Sequence, residues 1–276
     1  MKKLYAVIGD PIAHSMSPAM HNELFNIYHI NAHYQPLLVK RNDLEDAIKG
    51  LKAVGIAGFN VTIPHKEAII PFLDRIDPLA KAIGAVNTVV NEDGELVGYN
   101  TDGSGYVKGL LENLKTLHDK KILIVGAGGA ARALYFTIAS HGVNRLDVCN
   151  RTLQKAEAIL NECPYPVQST AIEISEAEKS LAKYDLVIQT TPIGMAPKIK
   201  EIPLSLHHLQ ANTFVSDIIY NPLESKFLQE AKLKGASIQN GLPMFVYQGA
   251  LAFERWTGIF PDTIQMESVV LKQLGG

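Results

Sequence analysis

The chain has 276 residues, is 47% hydrophobic and 20% charged, and carries a formal net charge of −2. This length allows two domains, the composition is typical of a folded protein, and the charge balance gives no sign of a nucleic-acid or membrane-surface partner. No apolar run is long enough for a membrane span or a signal peptide, and the two cysteines lack metal-binding spacing. We therefore expect no metal site and a reducing, cytoplasmic compartment.

The first segment predicts a strand over residues 4–8, followed by a helix over about residues 18–28. Ser17 and Pro18 are typical of the N-cap and first position of that helix. Ser15 and Ser17 would then lie at a helix N-terminus, where the dipole and the free N–H groups favour an anion. Taken alone, the two serines are more simply interpreted as a cap and a turn residue.

The next segment predicts strands over residues 33–39 and 56–63, with a helix over residues 44–54 between them and Asp43 near its N-cap. Alternation along the second strand places Asn60 and Thr62 on one face. Pro64 ends that strand and puts Lys66 near the start of a further helix. A lysine there opposes the helix dipole, which hints at a function, although most such lysines are simply exposed.

A polar residue, Asn87, interrupts an apolar run that predicts a strand over residues 82–90. Residues 91–95 predict a hairpin turn, and residues 96–101 predict the returning strand. Asp102 then opens a helix. Without further information, Asn87 is a satisfied core amide and Asp102 is an ordinary N-cap.

The segment over residues 122–131 predicts a nucleotide site. A buried strand over residues 122–125 leads directly into a helical pattern, and Gly126, Gly128 and Ala131 between them fit the G-x-G-x-x-G/A fingerprint. The glycines allow a tight turn and close approach of a pyrophosphate to the helix N-terminus. The alternative is an ordinary strand–turn–helix, because the fingerprint alone is weak.

The end of the following strand, over residues 145–149, distinguishes between the two nicotinamide cofactors. Proteins that use NAD usually carry an acidic residue there to hold the ribose hydroxyls. This chain has Asn150, Arg151 and Thr152, and Lys155 lies on the first turn of a helix predicted over residues 153–160. An arginine suits a 2′-phosphate, so NADP is favoured over NAD and over a solvated basic turn.

Three further strands are predicted over residues 185–189, 213–219 and 237–239. Each ends in a polar loop with proline or glycine, which is where doubly wound sheets bind ligands. A helix predicted over residues 245–256 carries Gln248 near its start.

Together these stretches resemble the shikimate dehydrogenase family over nearly the whole chain. Each shared segment is modest, but their combination in this order is specific. The shared segments are Ser15-Met16-Ser17-Pro18, Asn60-Val61-Thr62-Ile63-Pro64-His65-Lys66, Gly84-Ala85-Val86-Asn87-Thr88, Asn100-Thr101-Asp102-Gly103, residues 126–131, Asn150-Arg151-Thr152, Gly241-Leu242-Pro243-Met244 and Gln248-Gly249-Ala250.

The resemblance implies an α/β protein of two domains. An N-terminal α/β substrate domain would span residues 1–101 and be completed by C-terminal helices over residues 241–276. A Rossmann-type doubly wound parallel-sheet domain over residues 102–240 would bind NADP. The implied activity is reversible reduction of 3-dehydroshikimate to shikimate by NADPH. The implied partner is this small-molecule substrate, and the implied oligomeric state is a monomer or a homodimer.

The resemblance also assigns roles to individual residues. Lys66 and Asp102 would flank the reacting carbonyl as catalytic residues, and Ser15 and Ser17 would bind the substrate carboxylate. The rest of the implied substrate site comprises Asn60, Thr62, Asn87, Tyr220 and Gln248. The implied cofactor site comprises Gly126, Ala127, Gly128, Gly129, Ala130, Asn150, Arg151, Thr152, Lys155, Thr191, Ile218, Gly241 and Met244.

Two alternatives stay open. One is a quinate/shikimate dehydrogenase with broader substrate use and often NAD as cofactor, which the Asn150-Arg151-Thr152 segment disfavours. The other is a non-catalytic regulator that binds NADP or another ligand on the same scaffold. The combination of Lys66 with Asp102 disfavours it, because a regulator has no need of both.

Overall fold

The computed structural model describes residues 2–275 and divides into two compact units. The N-terminal unit runs to Gly105 and resumes at Val246, and the second unit spans Tyr106–Phe245. Both boundaries fall inside helices.

The N-terminal unit begins with alternating strands and helices. In chain order these are β1 (Lys3–Gly9), α1 (Ser17–Ile27), β2 (Ala32–Leu38), α2 (Leu44–Ala53), β3 (Gly58–Val61), β4 (Arg75–Ile76), α3 (Pro78–Ile83), β5 (Thr88–Glu92), β6 (Glu95–Tyr99) and α4 (Asp102–Leu111).

The second unit follows with β7 (Lys121–Val125), α5 (Gly129–Ser140), β8 (Arg145–Cys149), α6 (Leu153–Glu162), β9 (Ala171–Ile172), α7 (Ile174–Ser180), β10 (Leu186–Gln189), β11 (Phe214–Asp217), α8 (Lys226–Leu233) and β12 (Ser237–Gln239). The chain then enters α9 (Leu242–Thr257), and α10 (Thr263–Gln273) is the last helix described. Short 3-10 helices occur at Arg41–Asp43, Ile70–Phe72 and Leu181–Lys183.

The sheet of the N-terminal unit is mixed, with six strands in the order β2-β1-β3-β5-β6-β4. β1 pairs in parallel with β2 and β3, whereas β5 and β6 form an antiparallel hairpin. The hairpin turn is Asp93-Gly94, and both residues have positive φ, as a two-residue type I′ turn requires. The predicted hairpin is therefore confirmed.

An aromatic cluster covers one face of this sheet. Tyr5 and Tyr34 are register partners on β1 and β2, and both rings contact Trp256 of α9. Phe25 of α1 and Phe253 of α9 complete the cluster. The two helices thus bury the aromatic residues of the first strands, whereas α2 covers Ile8 and Phe59 elsewhere in the core.

The sheet of the second unit is parallel throughout, with six strands in the order β12-β11-β10-β7-β8-β9. The order reverses between β7 and β10, which is the switch point where doubly wound folds bind ligands. Residues 122–125 of β7 are fully buried, as expected for a central parallel strand. The doubly wound parallel sheet predicted for this part of the chain is confirmed.

The strand predicted over residues 82–90 is wrong in its first half. Helix α3 ends at Ile83, and β5 begins only at Thr88. The Asp77 carboxylate accepts hydrogen bonds from the first-turn N–H groups of Leu79 and Ala80, and Gly84 ends the helix with φ of 76°. These are ordinary cap signals, and they outweigh the apolar run.

Three further predictions about helix ends are wrong. Ser17 is the first residue of α1, Met16 is its N-cap, and the cap makes no side-chain hydrogen bond. Lys66 does not start a helix, because residues 63–64 and 66–69 lie in turns, and the His65 N–H donates to the Thr62 carbonyl. Helix α9 begins at Leu242, before the predicted start, so Gln248 lies about two turns into it.

His21 is buried inside the aromatic cluster without a hydrogen-bond partner among residues 2–275. Its ring stacks on Tyr34 at a centroid distance of 4.6 Å and lies 5.1 Å from Trp256. Burial lowers the pKa of His21 from 6.5 to about 3. Because the unfolded chain binds this proton near pH 6.5, its contribution to stability is present above that pH and is lost as pH falls towards 3.

We expect His21→Phe to abolish this acid sensitivity, because a phenyl ring suits the aromatic cluster and cannot be protonated. A shift of one pKa unit corresponds to about 1.4 kcal/mol, so wild type should lose about 2 kcal/mol relative to the variant between pH 7 and pH 5. Urea unfolding at both pH values measures this difference. His33→Gln, at an exposed position, should keep the wild-type pH dependence; an unchanged dependence in His21→Phe would contradict the assignment.

Candidate active site

An ion pair between Lys66 and Asp102 lies at the centre of the polar residues of the N-terminal unit. The distance from Lys66 Nζ to Asp102 Oδ2 is 2.6 Å, and the side chains are 32% and 15% exposed. The Lys66 carbonyl accepts a hydrogen bond from the Val86 N–H at 2.7 Å, which holds its turn against the segment before β5. Asp102 is the first residue of α4, where the helix dipole favours its negative charge.

Asn87 fixes the other oxygen of the Asp102 carboxylate. Its Nδ2 donates to Asp102 Oδ1 at 2.8 Å and to Thr101 Oγ1 at 3.0 Å. Its Oδ1 accepts from the Thr101 N–H at 2.8 Å and from the Thr88 hydroxyl at 3.1 Å. Both Asp102 oxygens therefore have partners, and the carboxylate is fixed in rotation as well as in position.

Asn60, in β3, extends the same hydrogen-bonded group. Its Nδ2 donates to the Asn87 carbonyl and to Thr88 Oγ1, both at 3.1 Å, and its Oδ1 accepts from the Tyr34 hydroxyl at 2.7 Å. Asn60 and Thr88 are register partners in the antiparallel pair of β3 and β5. The sheet register therefore brings these two polar side chains together.

The two predicted carboxylate-binding serines lie in the approach to α1. The Ser17 N–H donates to Ser15 Oγ at 3.4 Å, and the Ser17 side chain is buried beside the Tyr34 hydroxyl. Thr62 lies just beyond β3, where its N–H donates to the Ile8 carbonyl at 3.0 Å. The structure thus joins Lys66, Asp102, Asn87 and Asn60 directly, with Ser17 next to them through Tyr34.

Gln248 lies on α9 where this helix meets α4. A Cβ added to Gly105 would lie 2.4 Å from the Gln248 N, so the two helix backbones touch. Only glycine at position 105 permits this approach. Gly105 lies three residues after Asp102 in α4, so Gln248 packs on the first turn of the helix that Asp102 begins. Tyr220, by contrast, belongs to the second unit, where its ring packs on Phe245.

The second unit carries the predicted fingerprint between β7 and α5. Gly126 has φ of 111°, and an added Cβ would lie 2.7 Å from Thr190 Oγ1, so a larger residue is excluded. Gly128 is the N-cap of α5 without a side-chain hydrogen bond, and added Cβ atoms at Gly128 and Gly129 would meet open space. The helix N-terminus, which Ala127 and Ala130 flank, is therefore accessible to an anion.

The loop after β8 presents two cations. Asn150 Nδ2 donates to the Thr152 carbonyl at 2.8 Å and closes the turn. Arg151, Thr152 and Lys155 are exposed on this turn and on the first turn of α6. The residues suit a phosphate on the ribose, and an acidic residue is missing at the position where NAD-binding folds carry one.

The ends of β10 and β11 complete this edge of the parallel sheet. Buried Gln189 shapes the loop, because its Oε1 accepts from the Thr191 N–H at 2.6 Å and its carbonyl accepts from the Ile218 N–H at 3.1 Å. A Cβ added to Gly241 would lie 1.9 Å from the Ile218 carbonyl oxygen, so only glycine fits there. Thr191, Ile218, Gly241 and the fingerprint therefore share one edge, with Met244 on the first turn of α9.

Sequence reasoning missed the three hydroxyls that hold the amides of this site: Tyr34, Thr88 and Thr101. Each looked like an ordinary strand residue. Apart from the contact of Thr88 with the adjacent Asn87, their partners are 13–28 residues away along the chain. The register of Asn60 with Thr88 was the one signal that strand pairing could have supplied.

Residues 2–275 contain no group of three or more His, Cys, Asp or Glu residues arranged to hold a metal ion. They also contain no helix with the length and hydrophobicity needed to cross a membrane.

Comparisons with known proteins cover most of the chain. Family models match at residues 7–89 (shikimate dehydrogenase substrate binding domain), 110–201 (shikimate / quinate 5-dehydrogenase) and 241–271 (shikimate 5'-dehydrogenase C-terminal domain). A shikimate dehydrogenase (NADP(+)) of Bacillus cereus strain AH187 is 55% identical over 277 residues, covering 100% of both chains.

Solved structures agree with the sequence matches. A shikimate dehydrogenase crystallised with NADP+ has a TM-score of 0.91 and 42% identity, over 99% of this chain and 96% of that one. The Listeria monocytogenes shikimate 5-dehydrogenase, crystallised with shikimate and NAD, has a TM-score of 0.93 and 34% identity, over 98% and 96% of the two chains. With sequence likeness over its full length and the same fold, the chain belongs to the shikimate dehydrogenase family.

Proposed function

We propose that this chain catalyses the reversible reduction of 3-dehydroshikimate to shikimate with NADPH. The observation that carries this proposal is the Lys66–Asp102 ion pair, which the amides of Asn87 and Asn60 hold inside one hydrogen-bonded group. Such a group supplies a cation for a developing oxyanion and polar side chains for a hydroxylated ring. Full-length relatives named as NADP-dependent shikimate dehydrogenases support the same activity.

In the proposed mechanism, Lys66 stabilises the negative charge that develops on the carbonyl oxygen. NADPH, when bound, would supply the hydride for this reduction. The Lys66 ammonium stabilises the oxyanion or gives it a proton, and the Asp102 carboxylate keeps Nζ in place. Asn87 holds the opposite carboxylate oxygen, so Asp102 cannot rotate away from the lysine.

The proposed substrate contacts fall into two groups, one for the carboxylate and one for the ring hydroxyls. The hydroxyls of Ser15 and Ser17, beside the N-terminus of α1, suit the substrate carboxylate. Ring hydroxyls would bind to polar side chains around the ion pair. The residues of the N-terminal unit proposed for these contacts are Asn60, Thr62, Asn87 and Gln248. Tyr220, which belongs to the second unit, stays a prediction as a substrate contact.

The residues of the second unit fit NADP. The N-terminus of α5, where the N-cap Gly128 makes no side-chain hydrogen bond, suits the pyrophosphate, and Arg151 with Lys155 suits the 2′-phosphate. Asn150 and Thr152 would shape that phosphate site, and residues 126–130 would line the pyrophosphate. Thr191, Ile218, Gly241 and Met244, along the edge of the sheet, would hold the nicotinamide end.

A second candidate is a broader quinate/shikimate dehydrogenase that uses NAD. One of the family models covers shikimate and quinate enzymes together, and the similar Listeria monocytogenes enzyme was crystallised with NAD. Steady-state rates with shikimate and quinate, each with NADP+ and NAD+, separate the candidates. We expect the highest kcat/KM for shikimate with NADP+; tight binding without turnover would favour a regulator.

The compartment and the oligomeric state stay predictions. We expect a cytoplasmic protein that is a monomer or homodimer, which cell fractionation and light scattering would test.

For Lys66→Ala we expect kcat to fall by roughly 10²–10⁴-fold, the range for a lost acid–base group. The KM for NADPH should stay close to wild type, because Lys66 lies outside the proposed cofactor residues. Lys81→Ala, at an exposed position of α3, serves as the control and should leave kcat unchanged. Near-normal kcat in Lys66→Ala would remove this residue from the mechanism.

The double substitution tests whether Lys66 and Asp102 act together. Asp102→Asn should also lower kcat, because it removes the charge and keeps the shape. If the ion pair is one functional unit, Lys66→Ala combined with Asp102→Asn should cost far less than the product of the two single effects. Multiplicative effects in this cycle, with folding checked by thermal melts, would show that the residues act independently.

Arg151→Ala should weaken the use of NADP+ and leave the use of NAD+ nearly unchanged. A lost charge-assisted hydrogen bond is worth about 1.5–3 kcal/mol, or roughly 10- to 150-fold in kcat/KM. Arg41→Ala, an exposed arginine of the other unit, should affect neither cofactor. Equal losses for both cofactors would indicate a structural role for Arg151.

Ser15→Ala should raise the KM for shikimate more than it lowers kcat, because it removes a proposed contact to the carboxylate. A shikimate analogue that lacks the carboxylate should be insensitive to the substitution. Steady-state kinetics with both compounds give the answer, and equal losses would mean that the serine only shapes the turn.

A further inference from the structure

Tyr34 lies between the two ends of the proposed substrate site. Its side chain is 1% exposed in β2, and its hydroxyl donates to Asn60 Oδ1 at 2.7 Å. The buried Ser17 hydroxyl lies beside the same phenolic oxygen. Tyr34 is thus next to one residue proposed for the carboxylate and one proposed for the ring hydroxyls.

Packing alone does not account for this hydroxyl. Tyr5 is the register partner of Tyr34 on β1, is also 1% exposed, and also contacts Trp256. Among residues 2–275, however, the Tyr5 hydroxyl makes no hydrogen bond to a side chain of the site. The two tyrosines therefore share an environment in the core and differ in the polar contact that Tyr34 makes.

The contacts of Asn60 determine what the Tyr34 hydroxyl does. Asn60 Nδ2 donates to the Asn87 carbonyl, which can only accept, so the orientation of the amide is fixed. Its Oδ1 then faces Tyr34 and needs a donor. Burial raises the pKa of Tyr34 well above its usual value, and Ser17 lowers it by less, so the phenol keeps its proton and remains that donor.

The ring of Tyr34 is itself held firmly. It stacks on the buried His21 ring at 4.6 Å with an interplanar angle of 28°, and it contacts Trp256 at 6.0 Å. A rigid ring transmits its position to the hydroxyl at its tip. The Asn60 amide is consequently fixed from both sides, by the Asn87 backbone and by the Tyr34 phenol.

We propose that Tyr34 is a positioning residue. Its hydroxyl holds Asn60, and also Ser17, which lies beside the same hydroxyl, in the geometry that binds the substrate. This inference rests on the proposed function and deepens it. Tyr34 acts through the two residues beside its hydroxyl and not on the reacting atoms.

The test is Tyr34→Phe, which removes one oxygen and keeps the ring. One lost neutral hydrogen bond should raise the KM for shikimate about three- to tenfold. The KM for NADP+ should not change, and kcat should stay near wild type. Tyr5→Phe is the matched control, because it removes a tyrosine hydroxyl from the same face of the neighbouring strand, and it should leave the KM for shikimate unchanged.

A double-substitution cycle separates positioning from general stability. If Tyr34 acts through Asn60, then adding Tyr34→Phe to Asn60→Ala should cause little further loss in KM. Tyr34→p-aminophenylalanine restores an N–H donor and should recover most of the wild-type KM. It also provides the test if Tyr34→Phe does not fold.

Two results would overturn the inference: an unchanged KM for shikimate in Tyr34→Phe, whether or not the melting temperature falls, or independent effects of Tyr34 and Asn60 on KM. Calorimetric titration of shikimate into each variant without cofactor gives the same comparison independently of turnover. Wild type that binds shikimate but does not oxidise it would contradict the proposed function and still leave the Tyr34 comparison interpretable.

Discussion

The Lys66–Asp102 ion pair constrains the N-terminal unit, because two partly buried charges need polar partners in addition to each other. Removing charges from water costs several kcal/mol per ion unless hydrogen bonds replace the lost solvation. Here the second carboxylate oxygen is bonded to Asn87, and the carboxylate lies at the N-terminus of α4. The Asn87 amide and the helix N-terminus thus both support the pair, which makes the position of the Lys66 ammonium well defined.

That support brings together segments distant in sequence. The Lys66 turn is bonded through its carbonyl to Val86, and the Asn87 carbonyl accepts from the Val61 N–H as well as from the Asn60 amide. The segment before β5 therefore bonds at the same time to the end of β3, to the Lys66 turn and to the start of α4. The mixed sheet matters here, because the antiparallel β3–β5 pair puts Asn60 opposite Thr88.

The sequence predicted what depends on neighbouring residues. The strand–turn–helix of β7 and α5, the Asp93-Gly94 hairpin and the polar loops at the ends of β10 and β11 all follow from local turn chemistry. The same local reasoning failed where cap signals competed with an apolar run, at residues 82–90, and where a turn imitated a helix start, at Lys66. Lys66 could be identified from the sequence as a candidate functional residue, but the side chains that hold it in place could not.

This difference has a physical reason that separates the two units. The proposed cofactor site relies on backbone geometry, so glycines that tolerate no Cβ, such as Gly126 and Gly241, mark it within short motifs. The proposed substrate site relies on side chains whose partners come from other strands, and Tyr34 meets Asn60 across 26 residues of chain. A hydrogen bond of this kind leaves no local pattern, because any buried strand position could carry its tyrosine. The residues that position a polar site are therefore found by tracing which donors satisfy its buried amides, and this chain requires that tracing at Asn60 and Asn87 alike.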